Sequence, residues 1–459
     1  MKKKKINKIH FVGIGGIGMS SLAQFLLNKN YTVSGSDVSR NSLTNKLASK
    51  GCTIFTKHDS SNIDNQDLII CSSAIDKTNP EILEGKKKRI KIITRGEALG
   101  FFTKDNKNIS ISGCHGKSTT TSMVHFLLNK AGLNSTLFLG AIDRKLKSNF
   151  YYGNSSLCVI EADESDNSLN YLNSFISAIT NIDNDHLDFY KTKKNLNDAF
   201  KRFAISAKSK CVVNNDCKIL KNLTKNITSK KIIKFGQLDT KSNDYSFKIL
   251  KDVEKSRFAI FKREHLVGFF VSKLSGEYNI YNSVCSIIIA LEMGVSVEQI
   301  KKSLRFYTPP SRRFETILNT KSLTIIDDYA HHPSAIKAIR KSLGGYFQNK
   351  NVILVFQPHR FSRTKILFKD FIEELSLWKN VYLVDIYSAF EKTNSILDSV
   401  HLYKEIKKSN NKIKYFSNNE LLVDKILSES RKKDSLVITM GAGNIRDVGS
   451  SIKKRITNS

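Results

Sequence analysis

No stretch of this chain approaches the ~18 uninterrupted apolar residues that a membrane-crossing helix needs, so membrane insertion is not expected. The seven cysteines (Cys52, Cys71, Cys114, Cys158, Cys211, Cys217 and Cys285) include no C-x-x-C pair and make no even framework. That excludes a disulfide scaffold and fits isolated thiols in a reducing, cytoplasmic compartment. Low-complexity tracts and short internal repeats are missing, and with 40% hydrophobic residues the chain can bury real cores. MKKKK resembles the basic start of a signal peptide, but INKIHFVGIGGIGMSS is soon broken by glycine and has no small-residue cleavage pattern, so a soluble, cytoplasmic protein is expected.

Acidic residues are scarce. Against 74 Lys and Arg stand 42 Asp and Glu, a formal charge of +32. The basic runs are short (KKKK at 2–5, GKKKRIK at 85–91, ESRKK at 429–433), and no long basic segment is interleaved with aromatics. The charge reads as lysines scattered over solvated faces. It suits anionic small substrates and predicts no specific nucleic-acid partner.

The 459 residues exceed what one core usually organises, so two or three domains are expected. KIHFVG reads as a buried strand, SSLAQFLLNKN as a helix and YTVSGSD as a second strand; DLIICSSAI and KIITRGEAL read as further strands. The polar FFTKDNKN marks a first boundary. NISISG then feeds a second loop, followed by a helix over 118–132 that ends at Gly132. Strands follow in SLCVIEADESD and FISAITNIDNDHLD, with mixed strand and loop from about 215 to 275 and a helix over 278–294. The Pro-Pro of FYTPPSRRF reads as a linker. Beyond it come SLTIIDDYAHHP, a helix over 334–343, NVILVFQPHRFSRT, a helix over 368–377, NVYLVDIYSA and SLVITMGAG. The expected fold is α/β with mostly parallel sheets and three domains: 1–104, Rossmann-like; 105–309, a P-loop-type mononucleotide-binding sheet; 310–459, a second Rossmann-like sheet.

Two glycine loops carry the chemistry. VGIGGIGMS places Gly13, Gly15 and Gly18 in G-x-G-x-x-G spacing between a strand and a helix, where backbone N–H groups can approach a pyrophosphate. Asp37, ending the next strand, is where a ribose hydroxyl partner is expected. NAD, FAD or a purely structural turn remain open for this loop alone. ISGCHGKSTTT is a shortened phosphate loop, G-x-x-G-K-S, in which Lys117 can reach the β- and γ-phosphates and Ser118 can hold Mg²⁺. A tight turn with an exposed lysine is the bland alternative. Glu161, Asp163, Glu164 and Asp166 close the next buried strand, and Asp185 and His186 close another; such hard oxygen donors suit Mg²⁺. One cradle is built for a triphosphate with metal and the other for a diphosphate that need not be a redox cofactor. An NAD-dependent oxidoreductase leaves the second loop unexplained, and a basic nucleic-acid-binding ATPase leaves the first.

In GIGGIGMSSLA, SSAI, SGCHGKSTTT, EADESD, TNIDNDHLD, NIYN, RRF, DDYAHHP, FQPHRFSRT, DIYSAFE and GAGNI, taken in order, the chain resembles the Mur ligases of peptidoglycan synthesis. Within that family it is most similar to the members that attach L-alanine to UDP-N-acetylmuramate. A relative that attaches a recovered tripeptide to the same nucleotide ranks second, because its first loop differs from GIGGIGMS. The resemblance implies that ATP phosphorylates the lactyl carboxylate and that the acyl phosphate accepts the amine of L-alanine through a tetrahedral intermediate. It implies a sugar-nucleotide site at Gly13, Gly15, Gly16, Ile17, Gly18, Asp37, Ser72 and Ser73. ATP would lie on Gly113, Cys114, His115, Gly116, Lys117, Ser118 and Thr119, with Asn279 and Asn282 at the adenine and Arg313 and Asp328 at the phosphates and ribose. Lys117, Glu161 and His186 would be catalytic. Ser118, Glu161 and His186 would hold one or two Mg²⁺ ions, with Mn²⁺ as a substitute. Tyr329, His331, Arg360 and Arg363 would surround the acyl phosphate and L-alanine. With groups drawn from two domains, closure on binding would assemble the site, and a monomer or weak homodimer is expected. Cys114, Tyr278, Ala335, Ser388 and Phe390 depart from the family's usual Thr, His, Glu, Pro and Gly.

Overall fold

The computed structural model describes residues 6–183, 187–225, 227, 231–237, 239, 241–252, 255–344, 350–389, 391 and 398–458. Asp185, His186 and Phe390 lie outside them. The described residues up to Leu274, together with Asn279–Pro310, make one compact unit; Ser275–Tyr278 and the described residues from Ser311 onward make another.

The first unit contains two sheets. Strands β1 (Lys8–Val12), β2 (Thr32–Ser36), β3 (Thr53–Phe55), β4 (Leu68–Cys71) and β5 (Lys91–Thr94) pair in the order β3-β2-β1-β4-β5, all parallel. This is the Rossmann arrangement, whose order reverses between β1 and β4 and leaves a crevice at their carboxyl ends. β1 is buried over its last four residues, as a parallel strand covered on both faces should be. The stretch KIITRGEAL divides: β5 stops at Thr94 and a helix runs Arg95–Thr103. The signal is the T-x-x-E of Thr94 and Glu97, a capping box in which each side chain satisfies the other's backbone N–H.

The larger sheet has β6 (Lys107–Ser112), β7 (Thr136–Asp143), β8 (Ser148–Tyr151), β9 (Leu157–Glu161), β10 (Ser174–Ile179), β11 (Lys210–Asn214), β12 (Ile232–Gln237), β13 (Tyr245–Asp252), β14 (Ser256–Lys262) and β15 (His265–Ser272). Its order is β15-β14-β13-β12-β11-β10-β6-β9-β7-β8. The centre is parallel, β8 is antiparallel to β7, and β13, β14 and β15 form an antiparallel meander joined in parallel to β12. The region read as mixed strand and loop is therefore a sheet extension, hidden in sequence because its face alternation is interrupted by lysines and bulges.

Helix Ile17–Asn28 packs onto both sheets. Phe25 lies 5.2 Å from Phe138, 6.4 Å from Phe150 and 6.1 Å from Tyr152 between ring centroids, so one core serves residues on both sides of 104/105.

The second unit holds β16 (Glu315–Asn319), β17 (Leu323–Asp328), β18 (Asn351–Phe356), β19 (Val381–Val384), β20 (Ile413–Phe416) and β21 (Ser435–Met440), ordered β16-β17-β21-β18-β19-β20. Only β16 is antiparallel to its neighbour among these strands. Helices Pro333–Ser342 and Phe368–Ser376 lie within a residue of the sequence reading.

Candidate active site

In the first sheet the glycine loop leaves β1 and turns back on itself. Gly13 has φ +84°, and its N–H and that of Ile14 both donate to the Ser36 carbonyl, at 2.9 and 3.0 Å. The Gly15 N–H donates to Asp37 Oδ2 at 2.8 Å, so the acid expected at the ribose closes the loop from the neighbouring strand. A Cβ on Gly15 would sit 2.8 Å from that oxygen, and one on Gly13 would sit 3.1 Å from Ser72 Cβ. Ser72 and the exposed Ser73 follow β4, across the crevice. Gly16 caps the helix that begins at Ile17, and the Asn149 side chain donates to the Ile17 carbonyl at 2.5 Å. Gly18 lies against Arg95, whose guanidinium pairs with Asp166 and donates to Ser168 at 3.1 Å. Sequence reading passed over Arg95; nothing local marks a residue whose role is set by packing from another element.

In the larger sheet, β9, β6 and β10 are neighbours, and the three segments that follow them converge at their carboxyl ends. After β6, Gly113 has φ +129° and Gly116 φ +81°. A Cβ on Gly113 would meet Thr180 Oγ1 at 2.2 Å, and one on Gly116 would meet Asn282 Oδ1 at 2.3 Å. These positions admit only glycine. After β10, Asn181 grips the loop from both sides: its Oδ1 accepts from the His115 N–H at 2.8 Å, and its Nδ2 donates to the His115 carbonyl at 2.8 Å. Thr180 donates to the same carbonyl at 2.6 Å, and His115 Nε2 lies 3.1 Å from Asp183 Oδ2. The Asp183 N–H donates to the Cys114 sulfur at 3.1 Å, so the thiol helps to anchor the loop.

Helix Lys117–Lys130 starts at the loop. Ser118 Oγ donates to Glu161 Oε1 at 2.9 Å, and Glu161 Oε2 accepts from the Gly140 N–H at 2.7 Å. Lys117 Nζ donates to the Gly113 carbonyl and to Glu164 Oε1, each at 2.8 Å. Burial would lower the Lys117 pKa, but the charges of Glu164 and Asp163 outweigh it and hold the ammonium above its ordinary range. Asn282 and Asn279, on one face of helix Glu277–Glu292, lie 3.4 Å apart, and Asn282 Oδ1 accepts from Thr120 at 3.3 Å. The Thr119 carbonyl accepts from Tyr307 at 3.0 Å.

In the second unit the polar groups again gather at the carboxyl ends of parallel strands, β17, β18 and β19, with β21 lying between the first two. Asp328 ends β17 and accepts from the N–H groups of Phe314 and Ala330, each at 2.7 Å. Burial pushes its carboxyl up to about 6 despite the nearby Arg313. The Arg313 and Arg312 guanidinium carbons lie 5.2 and 5.1 Å from the Tyr329 ring centroid. Tyr329 and His331 meet edge to face at 5.4 Å, His331 is 5.7 Å from His359, and His359 stacks on Tyr387 at 5.7 Å. Arg363 reaches His359 Nδ1 at 3.2 Å, and Arg360, at φ +68°, donates its N–H to the Tyr387 carbonyl at 2.8 Å. His359, Tyr387 and Arg312 complete this cluster and were not singled out from sequence, although His359 stands inside the quoted FQPHRFSRT. His186 lies outside the described residues, so its position relative to Ser118 and Glu161 is not part of this geometry.

Comparison with known proteins agrees along the whole chain. The Mur ligase family catalytic domain matches residues 8–107, the Mur ligase middle domain 111–290, and the Mur ligase glutamate ligase domain 312–443. The chain is 36% identical to a UDP-N-acetylmuramate–L-alanine ligase from Hydrogenobaculum sp., over 97% of this chain and 98% of the relative. It is 40% identical to one from Aquifex aeolicus, over 85% and 86%. Among solved structures, a UDP-N-acetylmuramate-alanine ligase from Thermotoga maritima superposes with a TM-score of 0.82 at 25% identity, covering 98% of this chain and 99% of that one. A murein peptide ligase from Psychrobacter arcticus shares the fold, with a TM-score of 0.71 at 19% identity over 99% of each chain.

Proposed function

The chain belongs to the Mur ligase family, and from that premise we propose that it joins L-alanine to the lactyl carboxylate of UDP-N-acetylmuramate, with ATP converted to ADP and phosphate. The product, UDP-N-acetylmuramoyl-L-alanine, is a peptidoglycan precursor. The observation that carries this reading is the full-length likeness to L-alanine ligases, which extends over both phosphate cradles.

A carboxylate does not react with an amine at neutral pH, so the lactyl carboxylate must first take the γ-phosphoryl group of ATP. Lys117 opens the helix that follows the loop, and its ammonium would offset the charge spread over the transferred group. The resulting acyl phosphate is attacked by the amine of L-alanine, and the tetrahedral intermediate expels phosphate. Segment 1–104 serves the sugar nucleotide, 105–309 serves ATP, and 310–459 completes the ATP and amino-acid site.

The Ser118 hydroxyl and Glu161 carboxylate, already within hydrogen-bond distance of each other, are hard oxygen donors of the kind Mg²⁺ takes, so they fit the ion; His186 is proposed as a further ligand. When bound, Mg²⁺ supplies charge neutralisation at the phosphate oxygens, and Mn²⁺ would do so as well. Gly13, Gly15, Gly16, Ile17, Gly18, Asp37, Ser72 and Ser73 bind the sugar nucleotide. Gly113 to Thr119 bind the ATP phosphates, Asn279 and Asn282 bind adenine, and Arg313 and Asp328 bind phosphate and ribose. Tyr329, His331, Arg360 and Arg363 hold L-alanine and the acyl phosphate, Arg363 by the bidentate geometry that suits a carboxylate.

The test is phosphate release from ATP and Mg²⁺ with UDP-N-acetylmuramate, adding L-alanine, glycine, L-serine or a cell-wall tripeptide separately. Release that requires the sugar nucleotide and L-alanine together supports the proposal. Preference for the tripeptide moves the chain to the recycling activity, and no release from folded, ATP-binding protein rejects both.

A further inference from the structure

Glu164 has no part in the reaction as derived above, yet it is the acid that touches the phosphate-loop lysine. Its side chain is 0% exposed, three residues beyond Glu161 on the segment that leaves β9. Its backbone is fixed where its carbonyl accepts from the Tyr190 hydroxyl at 2.9 Å and from the Asn167 N–H at 3.2 Å. From there Glu164 Oε1 accepts from Lys117 Nζ at 2.8 Å, while the same ammonium donates to the Gly113 carbonyl at 2.8 Å. Lysine is a point charge on a flexible stem, and nothing in its own geometry selects one position. Here it is held at two points, with its side chain 14% exposed.

We propose that Glu164 is a positioning residue for Lys117, holding the ammonium back against the Gly113 carbonyl so that nucleotide phosphates must compete for it. The inference rests on the ligase reading for its kinetics. Its energetic content is a ground-state one. With Glu164 in place, part of the Lys117 charge is withheld from bound ATP and is given fully only as charge builds on the transferring phosphoryl group. Without it, the ammonium pairs with ATP from the outset, and binding energy that should appear in the transition state is spent in the ground state.

Glu164→Gln keeps the shape of the side chain and removes its charge. The expected result is that the KM for ATP and kcat fall together, each by about tenfold, so that kcat/KM changes little. Glu164→Asp, which keeps the charge with a shorter reach, is expected to lie between wild type and Gln in both numbers. Damage to the fold would instead raise KM as kcat falls. That outcome overturns the proposal, as do wild-type values in Glu164→Gln. If the Gln variant does not fold, Glu164→Asp alone decides by the same two numbers. Direct binding of a non-hydrolysable ATP analogue without sugar nucleotide separates this from the ligase reading: tighter binding in the variant supports the role of Glu164 even where wild type shows no L-alanine-dependent turnover, and unchanged or weaker binding rejects it.

Discussion

The Ser118 hydroxyl donates to the Glu161 carboxylate across 2.9 Å, linking the first turn of a helix to the end of β9, the third strand after it in the chain. Glu161 is kept in place by the Gly140 N–H on its other oxygen, so the pair offers a fixed edge of hard oxygens. Ser118→Ala and Glu161→Gln are expected to raise the Mg²⁺ concentration needed for half-maximal phosphate release by about 10- to 100-fold, the usual cost of losing a metal-site partner. A Mg²⁺ titration of initial rates measures this, and an unchanged midpoint in both variants would remove Ser118 and Glu161 from the metal site.

Lys117→Ala should lower kcat by about 10²- to 10³-fold, the loss typical of one preorganised charge-stabilising group. Lys117→Arg should not restore it, because a planar fork cannot replace a compact ammonium between the Gly113 carbonyl and Glu164. Single-turnover phosphate release separates this from an effect on product release.

The two loop glycines give a steric prediction. Gly113→Ala puts a methyl 2.2 Å from Thr180 Oγ1 at a φ of +129°, and Gly116→Ala puts one 2.3 Å from Asn282 Oδ1. Backbone at positive φ costs about 1–3 kcal/mol for a non-glycine residue even before the clash. Both variants should lose ATP binding by calorimetry, while retaining affinity for UDP-N-acetylmuramate, the ligand proposed for the other loop.

Gly15→Ala should do the reverse. Its methyl would displace Asp37, 2.8 Å away, and open the first loop. The KM for UDP-N-acetylmuramate is expected to rise by at least about tenfold, with the KM for ATP near wild type, if the loop amides bind the diphosphate.

His125 supplies a pH dependence of stability. It is buried in the helix that follows the phosphate loop, and burial pushes its pKa down to about 4. In the unfolded chain a histidine takes its proton near 6.5. Between those values the unfolded state holds a proton that the folded state refuses, so stability is full above pH 6.5 and falls on acidification by about 3 kcal/mol towards pH 4. The difference in denaturation free energy between wild type and His125→Gln, measured from pH 8 to pH 4, should follow that slope; a flat difference would mean that His125 takes its proton equally readily in the folded and unfolded chain.

Much of this site was legible in sequence because its residues sit at a recurrent place, the carboxyl end of a parallel strand beside a topological switch. Gly13 after β1, Ser72 after β4, Gly113 after β6 and Glu161 at the end of β9 are each announced by a short apolar run ending in a characteristic residue. What escaped was set by distant parts of the chain. Arg95 is marked by nothing except its packing on Gly18 and its pairing with Asp166. Glu164 looked like one more acid at a strand end until burial and the Lys117 contact distinguished it from its neighbours. The β13–β15 meander was hidden because lysines and register shifts interrupt the alternation that identifies a strand.

The aromatic cluster of Phe25, Phe138, Phe150 and Tyr152 has a practical consequence for anyone dissecting the gene. A fragment beginning at residue 105 keeps Phe138, Phe150 and Tyr152 and loses Phe25, which covers them; the complementary fragment keeps Phe25 with nothing to cover it. Each half would carry a raw apolar face into solution and favour aggregation. Pulling the segment before residue 105 free for biophysics, or grafting one from a relative, should succeed only when the facing aromatics travel with it.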